Sequence, residues 1–220
     1  MVTTPAALKW VLISWSFEEK GSPAINKRLF MSKGILPRSW YNSYMQRKDS
    51  KYLRKNRPKD EDLKQIKRNP IYLVLDNVLD TYNIGSVFRL GDAVAAEKIY
   101  ICGQSEYPPS SRIHKAAVGT EEWVAWEHHD STIELVKKLK ADGIFIIAIE
   151  QDPRSVNYTL LSTRCTLPCA LVVGHETTGV SKEVLDIADL IVELPMFGIN
   201  KSINVWGSLA IVSYKVIEKL

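Results

Sequence analysis

Short apolar runs that alternate with helical segments constrain the fold of this 220-residue chain more than any other feature. The run 71–75 is continuously apolar, which is typical of a strand buried on both faces. Strands that alternate with helices predict an α/β fold, with a mostly parallel sheet covered by helices on both faces. The predicted strands are 71–75, 98–102, 123–126, 144–149, 170–173 and 190–194, and the predicted helices are 60–68, 83–96, 132–142, 182–188 and 205–217.

Punctuating residues set several of these boundaries. Asp130 or Ser131 is expected to cap the N-terminus of helix 132–142, and Gly143 to close it. Pro70 marks a boundary because the residue before a proline is pushed out of the helical region. The segment 103–114 is polar and Pro-rich, so we expect a loop there.

Length and composition indicate one domain with an appendage. Hydrophobic residues make up 45% of the chain and charged residues 25%, as in an ordinary soluble globular protein. Residues 1–45 are predicted to form a small irregular or helical N-terminal extension. Residues 46–69 read as a basic linker with a helix, and residues 70–220 as the main domain.

Positive charge is concentrated in one segment. The whole chain carries a net charge of +4, but residues 47–68 alone carry +6 and the rest −2. Such a run is consistent with a solvated linker. It is equally consistent with an arm that contacts nucleic-acid phosphates, because clustered Lys and Arg side chains are typical of such surfaces.

Cysteine usage and motif spacing argue against a disulfide framework or a metal site. The three cysteines are an odd number and fit a reducing cytoplasm, and no H-E-x-x-H spacing is present. We therefore expect core or loop thiols and no metal. The apolar segment 6–17 is too short to span a bilayer, so a terminal helix is favoured over a signal and no membrane association is expected.

Two parts of the chain carry polar residues at strand ends. Asn83, Gly85 and Ser86 follow the first strand and are expected at a helix N-terminus, where backbone amides favour an anion. Arg89 lies further along this helix, where a lone arginine is most often a surface residue. The second part consists of two loops that follow the strands 170–173 and 190–194, at the sheet edge where α/β proteins bind ligands. No dinucleotide fingerprint, P-loop or nucleophile elbow occurs.

Three ordered motifs resemble the TrmH (SpoU) group of SPOUT RNA ribose 2′-O-methyltransferases. The first is N-x-G-x-x-x-R and the second G-x-E-x-x-G, and the third is P-M-x-G followed by S-[LI]-N-V. The resemblance implies a C-terminal deep trefoil knot, S-adenosylmethionine as cofactor and a homodimer acting on RNA. The motif residues are Asn83, Gly85, Arg89, Gly174, Glu176, Gly179, Pro195, Met196, Gly198, Ser202, Ile203, Asn204 and Val205.

The same resemblance implies a role for each site residue. Arg89 would act in catalysis, by holding the RNA phosphate and stabilising the developing 2′-alkoxide, since a guanidinium stays protonated. Ser202 and Asn204 also fit helix caps. The other catalytic-site residues are Asn83 and Glu176, and the cofactor-binding residues are Gly174, Leu194, Met196, Gly198 and Ile203.

The substrate and the activity leave alternatives open. With no sizeable folded RNA-binding domain evident before residue 70, tRNA is favoured over rRNA. Trp206 departs from the small residue that the family usually has there, which supports an alternative: a catalytically inactive, knotted RNA-binding module. An enzyme for a small metabolite is a third class, and it lacks an array of acid, base or nucleophile residues.

Overall fold

The computed structural model describes residues 50–53 and 56–220. Its seven strands form one sheet in the order β3-β2-β1-β6-β4-β7-β5, and every pair of neighbours is parallel. The strands are β1 Asn69–Asp76, β2 Ala96–Cys102, β3 Trp126–His129, β4 Phe145–Ile149, β5 Val156–Asn157, β6 Cys169–Gly174 and β7 Leu190–Glu193. The helices are α1 Ser50–Leu53, α2 Asp60–Lys64, α3 Thr81–Ala93, α4 Ser111–Ala117, α5 Thr132–Ala141, α6 Leu161–Arg164, α7 Lys182–Ile187 and α8 Val205–Ile217.

Both faces of the sheet are buried, as the continuous apolar runs predict. Leu73 and Leu75 of β1 face a core that includes residues of α3, α4, α6 and α8. Val74, between them, faces a second core that includes residues of α5 and α7. Because side chains alternate across a strand, a strand between two cores must be apolar at every position. The predicted α/β fold with helices on both faces is confirmed.

Several predicted boundaries agree with the structure, and α8 coincides with the predicted helix 205–217. Of the two proposed caps for α5, Ser131 is the one used, since its side chain accepts a hydrogen bond from the amide of Glu134. Gly143 follows this helix with φ of 79°, in the left-handed region that favours glycine. Local signals therefore fix the ends of the most strongly patterned elements.

Two helices end earlier than predicted. The predicted helix 60–68 stops at Lys64, because the chain must reach Asn69, which already pairs with β2. The predicted helix 83–96 instead spans Thr81–Ala93, and Asp80 caps it by accepting a hydrogen bond from the Tyr82 amide at 2.8 Å. Ala96 at its predicted end belongs to β2.

The region between β2 and α5 differs most from the prediction. The predicted strand 123–126 lies instead at Trp126–His129. Trp123 follows a 3₁₀ turn, Thr120–Glu122, and its indole N–H donates to Asp92 Oδ1 at 2.7 Å. The predicted loop 103–114 contains the start of α4, which Ser110 caps. The sequence analysis also missed β5, the 3₁₀ turn Tyr158–Leu160 and α6.

Other expectations concern thiols, membrane spans and the ends of the domain. All three cysteines are free and buried, and burial raises the pKa of the Cys102 thiol to about 12, so they are core residues as expected. None of the described helices is long and apolar enough to cross a membrane. The predicted N-terminal extension lies outside the described residues, and the domain boundaries and the knot stay predictions.

A very close backbone approach lies at the end of β6. Gly174 and Gly179 flank a tight loop closed by an antiparallel bridge between His175 and Gly179. A Cβ atom at Gly174 would lie 2.1 Å from the carbonyl carbon and oxygen of Gly179. Only glycine fits there, because the atoms it would displace are backbone. Gly198, in contrast, has nothing within 4 Å of its Cβ position.

We therefore expect Gly174→Ala to lower the free energy of unfolding by about 3 kcal/mol, the upper range for overpacking. Gly198→Ala is the matched control and should change stability by less than about 0.5 kcal/mol, as for open surface sites. Urea denaturation of both variants measures the difference. Equal stability of the two variants would contradict the close packing at Gly174.

Candidate active site

A chain of hydrogen bonds joins three of the predicted site residues. Glu176 Oε1 accepts from Asn83 Nδ2 at 2.9 Å, and Asn83 Oδ1 accepts from Asn204 Nδ2 at 2.9 Å. Asn204 Oδ1 in turn accepts from the Trp206 amide at 3.0 Å. We call Glu176, Asn83 and Asn204 the polar relay. It ties the loop after β6 to α3 and to the start of α8.

The N-terminus of α3 binds an anion, but the anion is part of the chain. Glu176 accepts hydrogen bonds from the amides of Leu79 at 3.1 Å and Asp80 at 3.0 Å. These two amide N–H groups precede the first helical residue, and without Glu176 they would need water or a ligand as hydrogen-bond acceptor. The anion expected at this helix start is thus the carboxylate of Glu176, and Asn83 donates to it, whereas Gly85 and Ser86 have no hydrogen bond with it among the described residues.

The reason is that α3 begins two residues earlier than predicted. Asn83 lies in its first turn, whereas Gly85 and Ser86 lie in the second. Ser86 Oγ donates to the Tyr82 carbonyl at 2.7 Å. Gly85 packs against α4, where a Cβ atom would lie 2.5 Å from Ala116 Cβ. Gly85 thus serves helix packing rather than ligand binding.

The carboxyl group of Glu176 is shifted toward its charged form. Burial alone would raise its pKa, because a carboxylate loses hydration. The hydrogen bonds donated by Asn83 and by the amides of Asp80 and Leu79 outweigh this effect, so the pKa lies below its ordinary value. Glu176 is therefore ionised at neutral pH, as its acceptor role requires.

The second loop, 194–204, runs from β7 to α8 and is mostly exposed. Leu194 packs against the core, Met196 is half-buried and Ile203 is exposed. Gln151, which follows β4, donates its side-chain N–H to the Lys201 carbonyl at 2.7 Å and holds the loop near the sheet edge. The loop therefore presents apolar side chains and free backbone beside the polar relay.

Asn204 and Ser202 differ in the roles that their sequence predicts. Asn204 is the N-cap of α8 and also a member of the polar relay, and its part in a catalytic site stays a prediction. Ser202 is exposed, and its hydroxyl has no hydrogen bond within residues 50–53 and 56–220. The capping role is therefore confirmed for Asn204 and wrong for Ser202.

Arg89 lies apart from the polar relay. It follows Asn83 by six residues, which is about 240° around the axis of a helix with 3.6 residues per turn. Its side chain is exposed and has no ion pair or hydrogen bond in the part of the chain that the structure describes. Tyr82 is exposed on the same side of α3. The structure thus groups Asn83, Glu176 and Asn204 and leaves Arg89 on the neighbouring surface.

The sequence analysis missed two carboxylates at the same edge of the sheet. Asp76, at the end of β1, is buried and accepts from Thr132 Oγ1 at 2.6 Å and from the Ser181 amide at 2.8 Å. Glu150, directly after β4, accepts from the Val180 amide at 3.0 Å. Both hold the loop that carries Glu176. The sequence pattern that could have identified Asp76 and Glu150 is an acidic residue directly after a continuous apolar run.

One further cluster bears on the expectation of no metal. Among the described residues, His114, Glu121 and Glu122 place three possible ligand atoms within 4.8 Å of one another. The His114 ring already contacts Glu121 through Nδ1 and Oε1 at 2.5 Å. This hydrogen bond accounts for the closeness of those two side chains without an ion.

Trp206, the departure from the family pattern, is 43% exposed at the start of α8. The nearest described atom to a Cβ at Gly207 is Ile203 Cδ1, at 4.0 Å. The indole is therefore not forced into the protein interior, and Gly207 is not closely packed. Steric exclusion of a ligand by Trp206 has no support in this arrangement.

We expect Glu176→Gln to be less stable than the wild type by about 1 kcal/mol at pH 7, a value discounted for solvent exposure. Because the pKa in the folded state is lowered, the stabilisation is full above the unfolded-state pKa. It is lost as the pH falls through the folded-state pKa, so the difference should shrink as the pH falls below the ordinary glutamate value of about 4.3.

Urea denaturation at pH 7, 5 and 3.5 measures this difference. Glu97→Gln, at an exposed position of β2, is the control and should change stability at pH 7 by less than about 0.5 kcal/mol. A Glu176→Gln effect that stays constant or grows toward low pH would contradict the proposed role of the carboxylate.

Comparison with known proteins identifies relatives over this same region. The profile of the SpoU rRNA Methylase family matches residues 70–214. A tRNA (guanosine(18)-2′-O)-methyltransferase of Borreliella burgdorferi is 26% identical over 160 residues, which are 73% of this chain and 72% of that protein. A 23S rRNA (guanosine-2′-O-)-methyltransferase of Neisseria meningitidis is 29% identical over 155 residues, 70% of this chain and 60% of that protein.

Solved structures agree with this result. The TrmH/SpoU tRNA modifying enzyme of Aquifex aeolicus is 27% identical with a TM-score of 0.64, over 77% of this chain and 81% of that chain. The AdoMet-bound rRNA methyltransferase of Sinorhizobium meliloti is 23% identical with a TM-score of 0.65, over 76% of this chain and 60% of that one, and shows the same fold. The chain thus spans less than two thirds of some of these proteins. From the family match over 70–214, we conclude that the chain belongs to the SpoU rRNA methylase family.

Proposed function

We propose that the protein transfers a methyl group from S-adenosylmethionine to a ribose 2′-hydroxyl of RNA. The observation that carries this proposal is the polar relay. It brings together one residue from each of the three family motifs, Asn83, Glu176 and Asn204, although 121 residues separate the first from the last. Relatives named as tRNA and rRNA 2′-O-methyltransferases match the same region.

The residues of loop 194–204 fit the methyl donor. Leu194, Met196 and Ile203 offer apolar surface for an adenine ring, and the open space at Gly198 lets a ligand approach the backbone. The backbone groups of residues 195–200 have no hydrogen-bond partner among the described residues, so they are free for the polar edge of a nucleoside. Bound there, S-adenosylmethionine supplies an electrophilic methyl group.

Arg89 acts on the acceptor side in this proposal. A guanidinium stays protonated in proteins, so it serves as an electrostatic group rather than as a base. Its exposed side chain, free of ion pairs within the described residues, is available to an RNA phosphate. There it positions the ribose and stabilises the negative charge that develops on the 2′-oxygen.

The polar relay has a positioning role. Its members direct their polar atoms at one another and at backbone amides. Asn83, Glu176 and Asn204 therefore hold the donor loop against the acceptor helix. Ser202, whose hydroxyl is free in the described part of the chain, remains available for direct contact with a ligand.

The basic segment 47–68 supports RNA as the partner. In its described part, the side chains of Lys59, Lys64 and Lys67 are exposed. Arg57 lies 3.7 Å from Asp60, an exposed pair that offers little stabilisation in water. These cations suit a phosphate backbone. Among RNAs we favour tRNA over rRNA, and we place the protein in the cytoplasm, where its buried free thiols are stable.

A second copy of the chain is the proposed partner of α8. The helix buries Leu209, Val212 and Val216, yet Ile211 and Tyr214 on its outer side are 43% and 50% exposed. Large apolar side chains that are exposed together are typical of a protein interface. Continuity with loop 194–204 places this face beside the proposed donor site, as in a dimer with sites near the subunit interface.

We expect Arg89→Ala to reduce methyl transfer to unfractionated tRNA by about a hundredfold to a thousandfold, since electrostatic groups at developing charge contribute about 10²–10³. Binding of S-adenosylmethionine should stay within about twofold, because Arg89 lies apart from the polar relay. Transfer is measured with a labelled methyl donor and nucleoside mass spectrometry, and binding by calorimetry.

Arg164→Ala, at an exposed position of α6, is the matched control and should keep full transfer. Equal loss of transfer and of donor binding in Arg89→Ala would contradict the assignment to the acceptor side. Methylation of a base instead of the ribose by the wild type would overturn the proposed reaction.

The dimer proposal predicts that Ile211→Glu weakens self-association by at least about tenfold, because a charge would be buried in the interface. Ile211→Leu keeps the apolar contact and should associate like the wild type. Sedimentation velocity over a range of concentrations measures both. A wild-type protein that is monomeric at all concentrations would contradict the dimer proposal and would leave the description of the fold unchanged.

A further inference from the structure

Three aromatic side chains form a platform at the end of the sheet that β3 closes. The rings of Tyr107 and His128 lie 4.3 Å apart between centroids with an interplanar angle of 36°, and Tyr107 lies 6.1 Å from Trp126. We call Tyr107, His128 and Trp126 the aromatic platform. No part of the reaction proposed above uses it.

The platform is held from below. Trp126 contacts the buried ring of Phe88 edge-on, with 6.2 Å between centroids. His128 Nε2 donates to the Gly103 carbonyl at 3.2 Å, which fixes the imidazole beside Tyr107. Tyr107 lies on top and is 46% exposed. The phenol ring therefore contacts His128 and Trp126, and Tyr107 remains accessible to a ligand.

The aromatic platform lies on the same edge and face of the sheet as the acceptor side. The loop that carries Tyr107 follows β2, and its Gln104 amide donates to Asn77 Oδ1 at 3.1 Å, directly after β1. Phe88, which supports Trp126, immediately precedes Arg89 in α3. The platform therefore lies at the end of the sheet that α3 contacts through Phe88, and away from loop 194–204, which follows β7.

Charge around the platform suits a nucleic acid that touches it with a base. Arg89, Arg112 and Lys115 are exposed on α3 and α4 and make no ion pair in the described parts of the chain. Glu106 and Asp130 adjoin the platform in sequence, so the platform itself does not attract phosphate. A strand of RNA would place its phosphates on the three cations and a base on the aromatic ring.

We propose that Tyr107 stacks on a nucleobase of the RNA, next to the ribose that Arg89 addresses. This inference rests on the proposed function for its setting. Unpaired bases are commonly recognised by stacking on aromatic side chains, and one such contact contributes about 1–3 kcal/mol. The exposure of Tyr107 leaves its side chain accessible to such a base.

Binding of a fluorescent oligouridylate decamer tests this contact directly, since uridine runs are single-stranded. Tyr107→Leu keeps an apolar side chain of similar reach and removes the ring, and it should weaken binding by about 5- to 100-fold. Tyr107→Phe keeps the ring and should bind within about twofold. Anisotropy at low salt measures both, and thermal unfolding checks that both variants are folded.

The same titration with an abasic decamer, which keeps the ribose and the phosphates, separates stacking from charge. Tyr107→Leu should then bind like the wild type, because the abasic decamer has no base that could stack on the tyrosine ring. An equal loss on both oligonucleotides, or no binding of oligouridylate by the folded wild type, would overturn the stacking role.

Methyl transfer to unfractionated tRNA is assayed in parallel. Full transfer by Tyr107→Leu, with an unchanged KM, would reject the platform and keep the proposed function. Base-dependent binding through Tyr107 by a protein that methylates no RNA would keep the platform and reject the reaction.

Discussion

The carboxylate of Glu176 is the point at which the candidate site is held together. It accepts hydrogen bonds from the amides of Leu79 and Asp80, which precede α3, and from the side chain of Asn83. The loop after β6 is therefore fixed to the start of α3. Asn83 then orients Asn204, which starts α8. Without the carboxylate, the buried Asn83 would lose its partner, whereas the exposed amides of Leu79 and Asp80 would turn to water.

The parallel sheet determines what the polar relay can organise. The carboxyl ends of all seven strands lie on one edge of the sheet. The loops after β1, β6, β4 and β7 are therefore neighbours in space although they are distant in sequence. The polar relay divides this edge. Loop 194–204, with its free backbone and apolar side chains, lies on one side, and α3 with the exposed Arg89 lies on the other. A donor and an acceptor can thus approach from different directions.

The parts that sequence reasoning predicted are those with local signals. Continuous apolar runs gave the buried strands, and Asn204 before an apolar stretch indicated the start of α8. Asp80 carries an equally local cap signal that was overlooked, which displaced the expected start of α3. The indole of Trp123 pairs with Asp92, 31 residues away, and such a tertiary contact leaves no periodicity to detect. For the same reason, the motifs could group Asn83 and Glu176 but could not show that Glu176 is the anion at the start of α3.

A double-mutant cycle on Asn83 and Asn204 tests the account most directly, with the affinity for S-adenosylmethionine measured by calorimetry. If the polar relay holds loop 194–204 in the conformation that binds the cofactor, Asn83→Ala and Asn204→Ala should each weaken binding. The double variant should then have the same affinity as the single variant that binds less tightly. The coupling would then be at least about 1 kcal/mol, as for residues in one network. Strictly additive losses, or unchanged affinity in all three variants, would contradict the central role of the polar relay.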